Sequence, residues 1–282
     1  MTHGKTRLQV LCFFAHPDDE AFGSGGTLAE LVKTGHSVTT VCATNGDVGE
    51  ISDPSLATPE NLWQVRQQEL LKAMEVTGIT DVRFLDYRDS GMQGSEHNNH
   101  PCSLLQADPS AVEAQIQAIV DEVKPNVVFT HDPTGGYGHP DHITVYACTT
   151  NVINAMGMAR PCLYHVCFPR SNFKALWEEM TAARITPPFA KDALDVIGSP
   201  DDYVTTIRDV SAYVDIKKES LSHHKTQIDP TGPFNSLNQT FMDNWMSTEY
   251  FYLAGRDGDP EPDDILNQSL KTRHSKEEGR CL

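Results

Sequence analysis

The chain has 282 residues, enough for one large domain or two small ones with an ample core. With 39% hydrophobic and 22% charged residues, it has the composition of a globular protein rather than a disordered or fibrous one. A formal net charge of −17 disfavours nucleic acid and anionic membrane surfaces as partners.

"RLQVLCFFA" (7–15) is almost continuously apolar, which predicts a strand buried on both faces. "GGTLAELVKTG" (25–35) predicts a helix ending at Gly35. "HSVTTVCAT" (36–44) is a second strand, rich in β-branched residues. After a polar loop, "LWQVRQQELLKAMEVTG" (62–78) carries apolar residues at helical spacing and stops at Gly78. "DVRFLDY" (81–87) is a third strand, followed by a long polar loop over 88–108 of the kind that is usually functional. A helix at 109–125, a strand "NVVFTH" (126–131), a helix at 139–157 and a strand "CLYHVCF" (162–168) complete the series. Beyond 170 the pattern gives a helix at 171–184, a strand near 203–209, a helix at 211–224 and a frayed tail at "SKEEGRCL".

Strand and helix alternate throughout 7–168, which implies βαβ units and a parallel sheet. The expected fold is therefore α/β, a Rossmann-like, mainly parallel sheet in the order 3-2-1-4-5, flanked by helices, with an α+β C-terminal extension. No internal repeat or low-complexity linker divides the chain. It reads as one domain over 1–282, a core (1–168) with an extension (169–282) lining the substrate mouth. The seven cysteines are odd in number and form no CxxC, which suits reduced thiols in a cytoplasmic protein; Cys12 and Cys42 lie in apolar strands as core. There is no signal-peptide layout, and no apolar run reaches the roughly 18 residues that a membrane span needs.

In open α/β sheets, ligands bind beyond the carboxyl ends of the strands where the strand order reverses. In the expected order that point lies between strands 1 and 4. The two densest clusters of metal-type residues follow those strands: "HPDDE" (16–20) and "HDPTGGYGHPDH" (131–142). Catalytic zinc usually takes three protein ligands and leaves one place open. His16, one aspartate of the Asp18/Asp19 pair, and either His139 or His142 would supply them. The leftover aspartate would take a proton from an attacking water, and the free imidazole would stabilise an oxyanion and protonate a leaving nitrogen. Asp141 would orient that imidazole. The bland alternative is a pair of polar loops that merely cap helices.

Other features carry less. His97 and His100 suit a polar loop at a substrate mouth better than a second metal site. Gly23, Gly25 and Gly26 lack the strict G-x-G-x-x-G spacing of a phosphate loop and follow acids. Lys217 and Lys218 read as a solvated face, His223 and His224 as helix-end residues, and the Trp and Phe residues as core.

"AHPDDE" together with "GGYGHPDH" resembles the LmbE-like, or PIG-L, family of zinc-dependent N-acetylglucosaminyl deacetylases. "LDYRDSGM", "HHKTQIDPTGP" and "STEYFYLAG" are similar to the actinobacterial mycothiol-pathway subgroup, the GlcNAc-inositol deacetylase and the mycothiol S-conjugate amidase. The resemblance implies His16, Asp19 and His142 as metal ligands and Asp18 as the base that activates metal-bound water for attack on the amide carbonyl. It implies His139, backed by Asp141, as oxyanion stabiliser and general acid, and Tyr137 as a group reaching the scissile carbonyl. Arg66 and Asp89 would hold sugar hydroxyls, with Met92 packing on the sugar. His224 matches the family's H-x-T-Q histidine. Asp47 stands where the family often has Glu, with Glu50 nearby, and His131 where the subgroup often has another residue.

The expected function is thus deacetylation of a small N-acetylated amino-sugar conjugate. Alternatives are an amidase of a thiol S-conjugate and a non-catalytic sugar-binding module. Zn²⁺ is the expected cofactor, with Fe²⁺ or Co²⁺ able to fill the same donors. The expected partners are that small molecule and, as an open option, further copies of the chain; nucleic acid and membrane are not expected.

Overall fold

The computed structural model describes residues 7–229, 232 and 236–255. The tail "SKEEGRCL", Cys281 and part of the "HHKTQIDPTGP" stretch lie outside the described residues. In chain order the strands are β1 (Gln9–Phe14), β2 (Ser37–Thr44), β3 (Asp81–Tyr87), β4 (Val127–His131), β5 (Cys162–Cys167), β6 (Thr206–Asp209) and β7 (Thr248–Leu253). The helices are α1 (Asp19–Lys33), α2 (Leu62–Thr77), α3 (Pro109–Val123), the single turn α4 (Gly135–Gly138), α5 (Pro140–Ala155), α6 (Arg170–Ala182), α7 (Val214–Ser222) and α8 (Gln239–Met246).

One seven-stranded sheet runs in the order β3-β2-β1-β4-β5-β7-β6. The first five strands are parallel, in the 3-2-1-4-5 order that the βαβ alternation predicts. β7 and β6 then extend the same sheet antiparallel. Apolar side chains alternate to either side of β1 and β4, so the core forms two layers. Val10, Cys12, Phe14, Val127 and Phe129 face one layer; Leu11, Phe13 and Val128 face the other. Among the described residues no helix is long and apolar enough to cross a membrane.

Several expectations change in the structure. α1 begins at Asp19 rather than Gly25, so the acidic pair Asp19 and Glu20 forms its first turn, where negative charge complements the helix dipole. The glycines that follow serve close packing rather than phosphate. A Cβ on Gly23 would stand 2.3 Å from Val166 Cγ1, and one on Gly26 2.7 Å from Val210 Cβ. The N–H groups of Gly26 and Thr27 donate to the Glu249 carboxylate, both at 2.8 Å. The strand expected at 203–209 begins only at Thr206, and the helix expected at 211–224 is a 3₁₀ turn leading into α7. α8 and β7 go unrecognised in the sequence analysis: "TEYFYL" has the period-two burial of a strand but lies within a short polar context.

Lys217 is the clearest correction. It is not on a solvated face but 2% exposed, with Nζ 2.8 Å from Oε1 of the fully buried Glu249. Lys218 is half-exposed and pairs with Asp243. Glu249 thus joins β7 to α7 and α1. Glu249→Ala would strand a buried ammonium and two amides, and is expected to lower unfolding free energy by about 3–5 kcal/mol in urea titration. Lys218→Ala, which removes a partly exposed pair, is expected to change it by about 1 kcal/mol or less.

Candidate active site

β1 and β4 pair in register, Val10 opposite Val127 and Cys12 opposite Phe129, so both strands end at the same edge. The segment from the end of β1 into α1 carries His16 to Asp19; that from the last residue of β4 into α5 carries His131 to His142. Four atoms of three residues from these segments converge. His16 Nδ1 lies 3.0 Å from His142 Nε2, His142 Nε2 3.3 Å from Asp19 Oδ1, and His16 Nδ1 3.4 Å from Asp19 Oδ2. Donors bound at about 2.0–2.1 Å to one tetrahedral ion stand roughly 3.3 Å apart.

The far sides of both rings explain why their lone pairs meet. His142 Nδ1 lies 3.1 Å from the Gly135 carbonyl, which makes it the N–H donor and leaves Nε2 bare. His16 Nε2 lies 3.3 Å from Asp141 Oδ2 and 3.5 Å from Asp89 Oδ1, which makes it the donor and leaves Nδ1 bare. Two bare nitrogens and a carboxylate then face one point, an arrangement that repels itself without a cation and suits a divalent ion. Burial opposes charge on His16, yet Asp89, Asp141 and Asp19 outweigh it and raise its pKa, so that without a metal a proton takes the Nδ1 position that a metal cation would otherwise occupy. Burial would raise Asp19, but His142 and His131 hold it well below the carboxylate range. These residues fit a metal by donor type and spacing.

The remaining acid of the pair is poised beside this point. Asp18 takes φ 128°, an orientation that L-residues rarely adopt. Its Oδ2 accepts from Arg66 Nη2 at 3.1 Å. Burial pushes its pKa up to about 6, against the pull of Arg66. His139 caps α5: its Nδ1 accepts the Asp141 N–H at 3.2 Å, leaving Nε2 as the donor into the site, 3.9 Å from Asp89 Oδ1. Burial and the His16 and His142 rings push its pKa down to about 3.

The sequence profile of the PIG-L family (GlcNAc-PI de-N-acetylase) matches residues 11–153. A 1D-myo-inositol 2-acetamido-2-deoxy-α-D-glucopyranoside deacetylase from Acidothermus cellulolyticus is 38% identical over 86% of this chain and 88% of its own length. The chain belongs to the PIG-L family. A deacetylase of the same description from Thermobifida fusca is 37% identical, over 90% of this chain and 94% of that protein. Among solved structures, the A40926 pseudoaglycone deacetylase covers 87% of this chain and 95% of its own, at TM-score 0.57 and 20% identity, a likeness that speaks for the fold alone.

Around His16, Asp19 and His142, several residues stand elsewhere than expected. The Asp141 carboxylate makes no hydrogen bond to the His139 ring, which is met only by the Asp141 N–H. That carboxylate accepts from Ser90 Oγ and from the Ser90 N–H at 2.9 Å and faces His16, so it orients a ring of the donor set instead. Arg66, expected to meet sugar hydroxyls, is 3% exposed and spends its guanidinium on Asp18 and the carbonyls of Pro17 and Gly46. Asp89 lies against His16 and His139, and His16 and His139 hold its pKa low despite burial. Tyr137, 49% exposed, stands edge-on to His142 on a turn whose glycines 135, 136 and 138 all have positive φ. Met92, three residues after Asp89, is 47% exposed.

Other residues join the site without a clear sequence signal. His131, left open by the sequence, stacks on His142 at 4.0 Å, and its Nε2 accepts the Ala15 N–H at 3.0 Å, so that lone pair is already in use. Ser90 lies within "LDYRDSGM", but nothing in that stretch assigned it a role. Asp47 accepts the Asp89 N–H at 2.9 Å and pairs with Arg88, so the shorter acid anchors this loop while Glu50 stays exposed. His97 approaches Arg88, and His100 accepts the Cys102 N–H; neither belongs to a metal-capable cluster among the described residues. His142→Ala or Asp19→Ala is expected to abolish tight binding of a divalent ion in calorimetric titration. Ser90→Ala, which loosens Asp141 behind His16, is expected to weaken it about tenfold.

Proposed function

We propose that this PIG-L chain hydrolyses the acetamide of a glucosaminyl–inositol conjugate, releasing acetate and a free amine, with zinc as its metal. The observation that carries the reading is the close kinship, over nearly the whole chain, with relatives described as deacetylases of that acetamido sugar. The ligands are His16, Asp19 and His142, and no donor or base that the chemistry needs is missing, which disfavours a non-catalytic module.

A divalent ion held by these three residues would act as a Lewis acid, making water more acidic and a carbonyl more electrophilic. Asp18 removes a proton from the attacking water. His139 Nε2–H donates to the carbonyl oxygen as negative charge builds there. With Nδ1 committed to the helix and its pKa depressed, His139 works better as a neutral donor than as the general acid that the resemblance implies. Asp18 then returns its proton to the leaving nitrogen. Asp89, Met92 and Tyr137 meet the sugar and acetyl group, and the described part of the extension lines the mouth. Arg66 acts on substrate only through Asp18. Cys12, Cys42, Cys102, Cys148 and Cys167 are free thiols, which supports a reducing, cytoplasmic setting.

Incubation with the GlcNAc-inositol compound is expected to release acetate, in amounts lost on chelation and restored by zinc. Cleavage of a thiol S-conjugate amide in preference to it would favour the amidase reading. Asp18→Ala is expected to lower kcat by about a hundredfold or more while retaining metal. Asp18 must be ionised to accept a proton, so activity is expected to fall below about pH 6. Arg66 lowers the Asp18 pKa, so Arg66→Gln is expected to move that acid limb to higher pH.

A further inference from the structure

Asp18 is held in its disfavoured backbone orientation from two sides. Arg66 grips its carboxylate and the preceding carbonyl of Pro17. On the other side its N–H donates to Glu20 Oε2 at 3.0 Å, which ties the strained residue to the first turn of α1. Glu20 does not stand alone. Its second oxygen, Oε1, accepts from His224 Nε2 at 2.9 Å, and His224 is wholly buried. Among the described residues His224 Nδ1 has no hydrogen-bond partner, so the Glu20 bond is the one polar contact this side chain makes with them. The histidine itself is fixed by the segment that follows α7. Its carbonyl accepts the N–H groups of Gln227 and Ile228, and Thr226 donates twice to Glu69 on α2.

A carboxylate buried in the first turn of a helix needs no histidine 204 residues away merely to satisfy the helix dipole. The pair does something a dipole cannot: it fixes the rotamer of Glu20, and with it the position of the acceptor that meets the Asp18 N–H. We propose that His224, acting through Glu20, is a positioning residue that locks Asp18 in its strained orientation and so aims the base. This inference rests on Asp18 being the base. It gives the C-terminal extension a part in proton transfer as well as in forming the mouth.

The test is steady-state kinetics with metal content and thermal melts measured on the same zinc-loaded full chain. His224→Ala is expected to lower kcat about ten- to a hundredfold, with KM within about twofold and metal content unchanged, because small misplacement of a catalytic group slows chemistry more than binding. Gln places its Nε2 where the histidine has Nε2, so His224→Gln is expected to recover most of kcat. Asn reproduces only the Nδ1 position, so His224→Asn is not. Glu20→Ala is expected to match His224→Ala, and the double variant to be no worse than either alone. A wild-type kcat in His224→Ala, equal kcat in the Gln and Asn variants, or losses that multiply in the double variant would each overturn the proposal. If His224→Ala does not fold, the Gln and Asn pair decides. Asp18→Ala separates the two levels: full activity there sinks the base itself, whereas an inactive Asp18→Ala beside a fully active His224→Ala sinks only the tether.

Discussion

The site exists because β1 and β4 pair in parallel. Parallel strands present their carboxyl ends at one edge, and these two carry nearly all the histidines and acids of the centre. Segments more than a hundred residues apart thereby place two imidazole nitrogens 3.0 Å from each other. Hydrogen bonding on the far side of each ring removes the choice of tautomer. Both lone pairs then point inward, toward Asp19, where a bound metal cation, or a proton in its place, relieves the resulting repulsion.

That constraint spreads outward. The Gly135 carbonyl that fixes His142 lies on the glycine turn that also presents Tyr137. The Asp141 carboxylate that fixes His16 is itself held by Ser90, from the loop after β3. The same loop carries Asp89, whose N–H is anchored by Asp47 from the loop after β2. Four strand ends thus cooperate on one centre, each through a short chain of hydrogen bonds. Burial makes those chains matter, since a polar group left unpaired there costs far more than one at the surface.

The C-terminal region is joined to this centre rather than appended to it. β7 and β6 continue the sheet beyond β5, and Glu249 on β7 reaches α1 and Lys217. His224 reaches Glu20 on the first turn of the same helix. α1 is thus clasped by the extension at two points, one near its middle and one beside the acids it delivers to the site. The glycines at 23 and 26 make the first contact feasible by letting side chains of β5 and of the segment before α7 approach its backbone.

Much of this was legible in the residues alone. Hydrophobic runs and β-branched strands marked the parallel order 3-2-1-4-5, because a strand covered on both faces has little freedom in composition. The two acid- and histidine-rich turns marked the centre, because few other uses bring such residues to strand ends. What the linear pattern could not carry was partnership. Lys217 looked solvated because its neighbours are polar; only the fold sets Glu249 against it. Asp141 looked like the support of the adjacent His139, but a helix N-cap spends that histidine's Nδ1 on backbone and turns the carboxylate toward His16. Residue type and spacing are local properties and survive in one dimension. The pairing of a buried charge is decided by which distant element closes over it, and that is settled only when the chain is packed.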